Sequence, residues 1–410
     1  MKNFIRKFLK IIKSKWIIYP PKKKKILMFD VTGYELIKPF LNDEEEVGIY
    51  YRRYEEINLY IFFLALINFN SKLDLTQRYQ HNFIKYVEPK LVITFIDNLL
   101  NFYELKNYFN NIKFVSIQNG LRNQSFYRKN ELGDLEKLKK KSLKIDYYFT
   151  FSNSYKDFYS KFIEGNYIVH GSIRNNAIKI ERKAKKKKKN LLYISQFHPY
   201  HYKNFENKNY FTLNSQKFSY KNFKEAELII IPEIMDYCKK NEILLKILSK
   251  TSSKAERTFY QNILKNDYNF CEFIIRDDKN YAGAQRAKSY QIIDESNAVV
   301  FIDSALGYES FSRATPTASF SIRGQTLTIN QENKKKFNYF NFGFPEIMPE
   351  DGPFWVSSFN RKKINEILDY ILNVNDFDWK NIKEKYVKRL MSYDYENAKL
   401  RDILNLCLTK

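Results

Sequence analysis

The stretch NAVVFIDSALGYESFSRATPTASFSIRG (297–324) decides the fold class. An apolar run of strand length ends at Asp303-Ser304. A helix-length segment opens at once through Gly307, Glu309 and Phe311, and a second apolar run, TASFSIRG (317–324), follows. Strand, helix and strand joined by short polar turns are the pattern of a parallel sheet with crossover helices. In open sheets of this kind ligands bind outside the carboxyl ends of the strands. A helix starting there offers N–H groups and a positive dipole end to a phosphate. Ser304 adds a hydroxyl, Gly307 allows backbone and ligand to approach closely, and Glu309 is spaced to accept hydrogen bonds from a ribose diol. The same residues also fit a plainer assignment, with Ser304 a helix N-cap and Glu309 a helix-surface residue.

Working outward, the runs ILMFDV (26–31), EVGIYYR (46–52), LVITFID (91–97), KFVSIQNG (113–120), YYFTFS (147–152) and NYIVHGS (166–172) form one strand series. NLLYISQF (190–197) and EILLKILS (242–249) join the two runs above in a second. Between the series lies RKAKKKKKN (182–190), a solvated charge run that marks a boundary. The expected fold is α/β, with two Rossmann-like doubly wound domains facing a cleft. The N-terminal domain spans 22–181, a basic linker 182–189, the C-terminal domain 190–360, and further helices 361–410. Residues 1–21 are expected to form a basic amphipathic helix ended by Pro20-Pro21. Phe4, Phe8, Ile12 and Trp16 recur every four residues among lysines, a pattern that can lie on an anionic membrane surface through residues 1–18.

The 410 residues carry 70 Lys and Arg against 46 Asp and Glu, a formal charge of +24, with 44% hydrophobic residues. That composition excludes a disordered chain and favours an anionic partner. Three widely spaced cysteines give neither a disulfide framework nor a zinc pattern. No window reaches transmembrane length, and no signal-peptide cleavage pattern follows the N-terminus. A cytoplasmic protein is expected, with peripheral attachment to the inner face of the cell membrane.

There is no P-loop, no G-x-G-x-x-G, no H-E-x-x-H and no recognisable nucleic-acid reader motif. The one D-x-D, Asp376-Phe377-Asp378, sits at a helix start and reads as a cap, so no metal site is expected. Asp97 ends LVITFID and reads either as a catalytic base projecting into the cleft or as a helix cap. Gln118-Asn119-Gly120 with Arg122 is a second acceptor-side candidate, its Asn-Gly turn presenting N–H groups and Arg122 a phosphate partner; a plain turn fits equally. His198, with His201 nearby, follows the first strand of the second series and can serve acid–base work or simply be exposed.

The run Asp303-Ser304-Ala305-Leu306-Gly307-Tyr308-Glu309, followed by Ser321 and Arg323, resembles the nucleotide-binding stretch of GT-B glycosyltransferases. More specifically, it resembles a bacterial family of surface carbohydrate biosynthesis proteins with a D-S-x-L-G-Y-E run and a later S-x-R element. LLYISQF (191–197), ERTFY (256–260) and FGFPEIMPEDGPFW (342–355) are similar too. Ala305, where the family more often has a hydroxyl, and Arg313-Ala314-Thr315, where many relatives have a glycine, depart from it. The resemblance implies a metal-independent transferase with no cofactor, its nucleotide-sugar donor a substrate bound by Ser304, Gly307, Glu309 and Arg323. It implies that His170 and Ser172, in the hinge, face the donor phosphates. The acceptor would be a glycan or lipid-linked glycan of a surface polysaccharide or lipopolysaccharide. The alternatives are a CDP-glycerol-type polyol-phosphate transferase, against which Asn119-Gly120 stands in place of the usual His-Gly, and a non-catalytic nucleic-acid-binding protein.

Overall fold

The computed structural model describes residues 11–41, 46–68, 73–121, 142–181, 189–198, 209–213, 216–276, 284–329, 340–343, 345–346 and 348–409. A short parallel pair, β1 (Lys15–Ile17) with β4 (Glu56–Asn58), flanks the first domain. Its main sheet has six parallel strands: β2 (Ile26–Met28), β3 (Val47–Ile49), β5 (Leu91–Thr94), β6 (Lys113–Ile117), β7 (Lys144–Thr150) and β8 (Glu164–Val169), in the order β3-β2-β5-β6-β7-β8. Its helices are α1 (Tyr34–Ile37), α2 (Leu59–Ile67), α3 (Leu75–Val87), α4 (Leu100–Leu105), α5 (Asn153–Tyr159) and α6 (Ile173–Asn176).

The second sheet, also parallel, holds β9 (Asn190–Ile194), β12 (Leu244–Leu248), β13 (Cys271–Ile274), β14 (Ala298–Phe301), β15 (Thr317–Phe320) and β16 (Trp355–Val356), in the order β13-β12-β9-β14-β15-β16. An antiparallel hairpin, β10 (Asn209–Leu213) and β11 (Gln216–Ser219), leads into the long α7 (Tyr220–Lys240). Then come α8 (Lys254–Leu264), α9 (Ala284–Glu295), α10 (Ala305–Ser312), α11 (Arg323–Ile329), α12 (Arg361–Asn373), α13 (Asp376–Leu390) and α14 (Ala398–Thr409).

The central strands β5, β9, β14 and β15 are buried along their whole length. Sheets covered on both faces need apolar side chains in both directions, so these strands read as continuous rather than alternating runs. The helix starts are fixed locally: Asp74 and Gln77 form a capping box on α3, and Ser219 and Asn222 form one on α7.

One expectation is corrected, and some elements are new. Residues 15–17 are strand, not helix, because β1 finds an open backbone partner in β4; residues 1–10 lie outside the described residues. The hairpin was not anticipated. Nor were β4, β13 and β16.

The chain crosses between the domains twice. After β8 it passes through α6 into the second domain, and at its end it returns. Leu400, Leu404 and Cys407 of α14 join Ile26, Met28 and Ile93 in the core of the first sheet. The outgoing link is gripped by Arg313, which has no exposed surface. Its guanidinium pairs with Asp294 through Nε (2.8 Å) and Nη2 (2.5 Å). It also donates to Asn175 Oδ1 (2.9 Å) and to the carbonyls of Ile178 (3.2 Å) and Lys179 (3.0 Å). Removing one partner of a buried ion pair costs about 3–5 kcal/mol, because the other charge is left uncompensated. Arg313→Ala is therefore expected to lower unfolding free energy in urea by about that amount. Arg389→Ala, at an exposed ion pair with Glu346, should stay within ~1 kcal/mol.

Candidate active site between the two sheets

In the second sheet the chain runs from β9 outward to β12 and β13, then returns to place β14 on the other side of β9. That reversal opens a crevice at the carboxyl ends of β9 and β14, the usual ligand position in doubly wound sheets. Gln196 comes from one side, Asp303 and Ser304 from the other. With its amide oriented to satisfy both neighbours, Gln196 donates to Asp303 Oδ1 (3.1 Å) and accepts from the Ser304 N–H (2.8 Å). Ser304 occupies the N-cap of α10 without a side-chain cap bond; its half-buried hydroxyl instead donates to the same Gln196 oxygen (3.3 Å). His198 stacks on Tyr220 at the start of α7, with ring centroids 5.2 Å apart. Burial, then the charge of Lys250, lowers the His198 pKa, which keeps its imidazole neutral at pH 7.

Lys250, which the sequence reading did not single out, stands at the carboxyl end of β12. Desolvation lowers its pKa, while Glu227 and Asp303 pull the other way. Its loop is built by Glu256, which accepts from the N–H groups of Lys250 (2.7 Å) and Thr251 (2.7 Å) and from Ser195 Oγ (2.5 Å). Beneath it, Glu227 is fully buried and accepts from Tyr260 (2.9 Å), Tyr193 (3.1 Å) and the Gln196 N–H (3.2 Å). The ERTFY segment thus shapes the crevice from below.

Three donor-side expectations change on inspection of their surroundings. Arg323 is wholly buried and does not reach the crevice. It makes a two-pronged pair with Asp303 (2.7 and 3.2 Å), donates to the Phe223 carbonyl and lies 3.8 Å from the Phe223 ring centroid. Gly307 is required by packing: a Cβ there would stand 2.1 Å from the Phe301 ring. Glu309 is likewise a buried group, not a helix-surface one. It accepts from Tyr290 (2.7 Å), whose pKa is raised by burial and then by that carboxylate.

Facing this crevice is the first sheet, whose own reversal lies between β2 and β5. Gly33, at φ +86°, follows β2, and a Cβ there would meet Phe95 at 2.5 Å. Over Phe95 lies Arg174 of α6, 5.4 Å from the ring centroid. Its buried Nε makes no hydrogen bond, and its charge reaches Tyr290 of the second domain, as does that of Arg276. Arg174 is the second residue missed from sequence, and it belongs to the link between the domains.

The acceptor-side candidates serve mainly to build their loops. Asp97 is 1% exposed; its carboxylate accepts from the Asn119 N–H (3.2 Å) and meets the hydroxyls of Tyr159 (3.3 Å) and Tyr148 (3.4 Å). It points into the domain, not into the cleft. Gln118 is buried and ties Phe151 N–H (2.8 Å) to the Gly120 carbonyl (3.1 Å). Asn119 and Gly120 are half-buried, and a Cβ on Gly120 would meet nothing within 4 Å. Arg122 and His201 lie outside the described residues. Near the carboxyl edge of β3 a cavity of about 360 Å³ is lined by Arg52, Arg53, Tyr54, Thr76, Gln80 and Asn101, among others. Gln80 is 2% exposed and its Oε1 has no hydrogen-bond partner.

His170 and Ser172 are buried in the hinge. Ser172 begins α6. His170 lies against Asn176 (3.2 Å) and Asp394 (3.7 Å), so it joins the outgoing link to the returning chain instead of facing the cleft. Burial pushes its pKa down to about 4. The unfolded chain therefore binds one more proton than the folded one between pH 6.5 and 4, and stability falls as pH drops through that window. The full loss from this residue is about 3 kcal/mol. Thermal melts from pH 7 to pH 4 should show it, and His170→Gln should flatten that part of the profile.

Among the described residues, no group of three or more His, Cys, Asp or Glu is placed to hold a metal ion. No described helix is long and apolar enough to cross a membrane.

A family model described as an O-antigen biosynthesis protein matches residues 115–407. No curated protein matches the chain. Among solved structures, a glycosyltransferase from Rickettsia africae is similar at 13% identity and TM-score 0.48, covering 95% of this chain and 100% of that one. A sucrose-phosphate synthase from Thermosynechococcus elongatus is similar at 11% identity and TM-score 0.47, covering 94% and 100%. A UDP-GlcNAc 2-epimerase from Neisseria meningitidis, bound to UDP-GlcNAc, is similar at 12% identity and TM-score 0.41, covering 94% and 99%. The described chain is α/β with two six-stranded parallel sheets, the doubly wound two-domain class expected from the sequence.

Proposed function

The chain belongs to this O-antigen biosynthesis family, and we propose that it is a GT-B glycosyltransferase moving a sugar from a nucleotide-activated donor onto a growing surface polysaccharide or lipopolysaccharide. The observation that carries this reading is the crevice between β9 and β14. There a helix N-terminus, Ser304, Lys250 and His198 converge, with Arg174 on the connecting link. In this scheme the donor diphosphate sits at the start of α10, where backbone N–H groups and the helix dipole favour anions. Lys250 and Arg174 stabilise the charge that develops on the departing nucleotide. The acceptor glycan is held on the first domain, with the polar cavity around Gln80 and Asn101 as its subsite. The neutral His198 takes the proton of the attacking hydroxyl. The donor is a substrate, and no step calls on a cofactor or a metal.

A melting panel of UDP-, GDP- and CMP-linked sugars, CDP-glycerol and a single-stranded oligonucleotide tests the binding half of the scheme. A ligand at about 100 times its Kd adds roughly 2.7 kcal/mol, which is several degrees of Tm. One nucleotide-sugar class should give that shift, and Lys250→Ala and Arg174→Ala should each weaken it by about 1.5–3 kcal/mol, the range for bonds to charged groups. Stabilisation by CDP-glycerol alone would point to the polyol-phosphate reaction, and by the oligonucleotide alone to nucleic-acid binding.

The chemical half rests on His198. His198→Ala should keep donor affinity and lose about 10²–10⁴-fold in turnover. Asp97→Asn should lower Tm while leaving turnover near the parent's. A His198→Ala enzyme within threefold of the parent, well short of a general base's contribution, removes the histidine from the mechanism.

A further inference from the structure

The first domain carries a contiguous apolar surface that the donor site does not use. On α2, LYIFFLALI, Ile61 and Ala65 face the core, while Tyr60, Phe63, Leu66 and Ile67 are exposed at 39%, 58%, 47% and 76%. Beside α2 runs β1, paired to β4, with Trp16 41% exposed. Just beyond it, Ile18 and Tyr19 are exposed at 71% and 80%. The two pieces are fastened together, since Asn58, the N-cap of α2, donates to the Tyr19 carbonyl (2.7 Å). A surface helix normally turns its polar side to water. Here the outward side is aromatic and aliphatic, and exposed apolar patches of this kind mark contact sites.

The rim identifies the partner. Among the described residues, 11–25 hold six lysines and no Asp or Glu; Lys15, Lys23 and Lys25 make exposed pairs with Glu56, Glu88 and Glu46, exchangeable for lipid phosphates because such surface pairs are weak. Lys23 lies 4.9 Å from the Tyr86 ring centroid, and that ring is 5.2 Å from Tyr60, which brings the lysine run to the edge of the patch. An apolar centre with a basic rim matches a lipid surface whose headgroups are anionic. Apolar side chains enter the acyl boundary, and each nearby Lys or Arg adds about 1 kcal/mol of attraction. A second copy of the chain fits poorly, because a two-fold contact would set one lysine rim against another.

We propose that α2 and the β1 edge form a docking face for an anionic lipid surface, with Phe63, Ile67, Trp16 and Tyr19 as the inserted side chains. The inference is independent of the donor site. It also differs from attachment through an N-terminal helix, since residues 15–19 act as an extended edge and the main anchor is α2.

Sedimentation with phosphatidylglycerol/phosphatidylcholine vesicles at low salt tests the proposal on the full chain. The parent should partition onto anionic vesicles and much less onto pure phosphatidylcholine. Phe63→Ser/Ile67→Ser should reduce partitioning about tenfold or more, given the apolar area withdrawn, with Tm unchanged because both side chains are exposed. A chain lacking residues 1–10 should retain the Phe63 and Ile67 dependence. Trp16 gives a second reading, since Trp355 and Trp379 are buried: anionic vesicles should blue-shift the fluorescence of the parent and not of Trp16→Phe. Equal partitioning of parent and double variant overturns the proposal. So does dependence on residues 1–10 alone, or a parent that light scattering shows to be a dimer and a double variant that is a monomer.

Discussion

The placement of the two sheets rests on one buried cation. Arg313 belongs to the second domain, yet three of its five acceptor contacts are on the link that leaves the first. Burying a guanidinium is unfavourable unless its donors are met. Asp294 supplies the opposite charge, and the Glu181 N–H bonds to that same carboxylate (3.0 Å). Around the pair, Asn175 donates to Ser312 Oγ (2.7 Å), Lys383 to the Arg313 carbonyl (3.0 Å) and Tyr393 to the Ile178 carbonyl (3.0 Å). Charge neutralisation inside one domain thereby fixes the path of the connecting chain. That path presents Arg174 over Phe95 at the carboxyl edge of the first sheet.

A second layer of buried polar groups does comparable work within the crevice. Burial raises the pKa of Glu227 and of Glu256, and hydrogen bonds from hydroxyls and loop N–H groups oppose that rise. Such groups are stabilising only when their hydrogen bonds are made. Meeting them forces the loops after β9 and β12 into a single arrangement. Arg323 and Asp303 do the same after β14 and β15. The residues that look most functional in the D-S-x-L-G-Y-E and S-x-R elements are thus largely the framework, and the groups open to a ligand stand on the loops they hold.

Much of the fold was legible because parallel strands buried on both faces must be apolar throughout, and their runs stand out without any partner being known. The ten strands read from sequence all lie in the two main sheets. What was not legible depends on distant partners. Trp16 fits a helical stripe of period four, and only the presence of Glu56–Asn58 makes β1 a strand. Asp97, Arg323 and His170 were recognisable as polar residues at strand ends. Whether each faces the cleft or the interior is decided by Tyr159, Asp303 and Asp394, at 62, 20 and 224 residues' separation. Lys250 carried no motif at all; its meaning comes from the loop that Glu256 builds.

The return of α14 to the first sheet has a consequence for how the chain is made. Leu400 and Leu404 are fully buried against strands that begin at Ile26, so the first domain cannot close its core until α14 has been made. The second domain, whose sheet ends at Val356, can complete its strand order earlier. Domains usually fold in the order of their synthesis. Here the order of completion is reversed: the domain that is translated first waits, with one apolar face uncovered, for α14 to arrive.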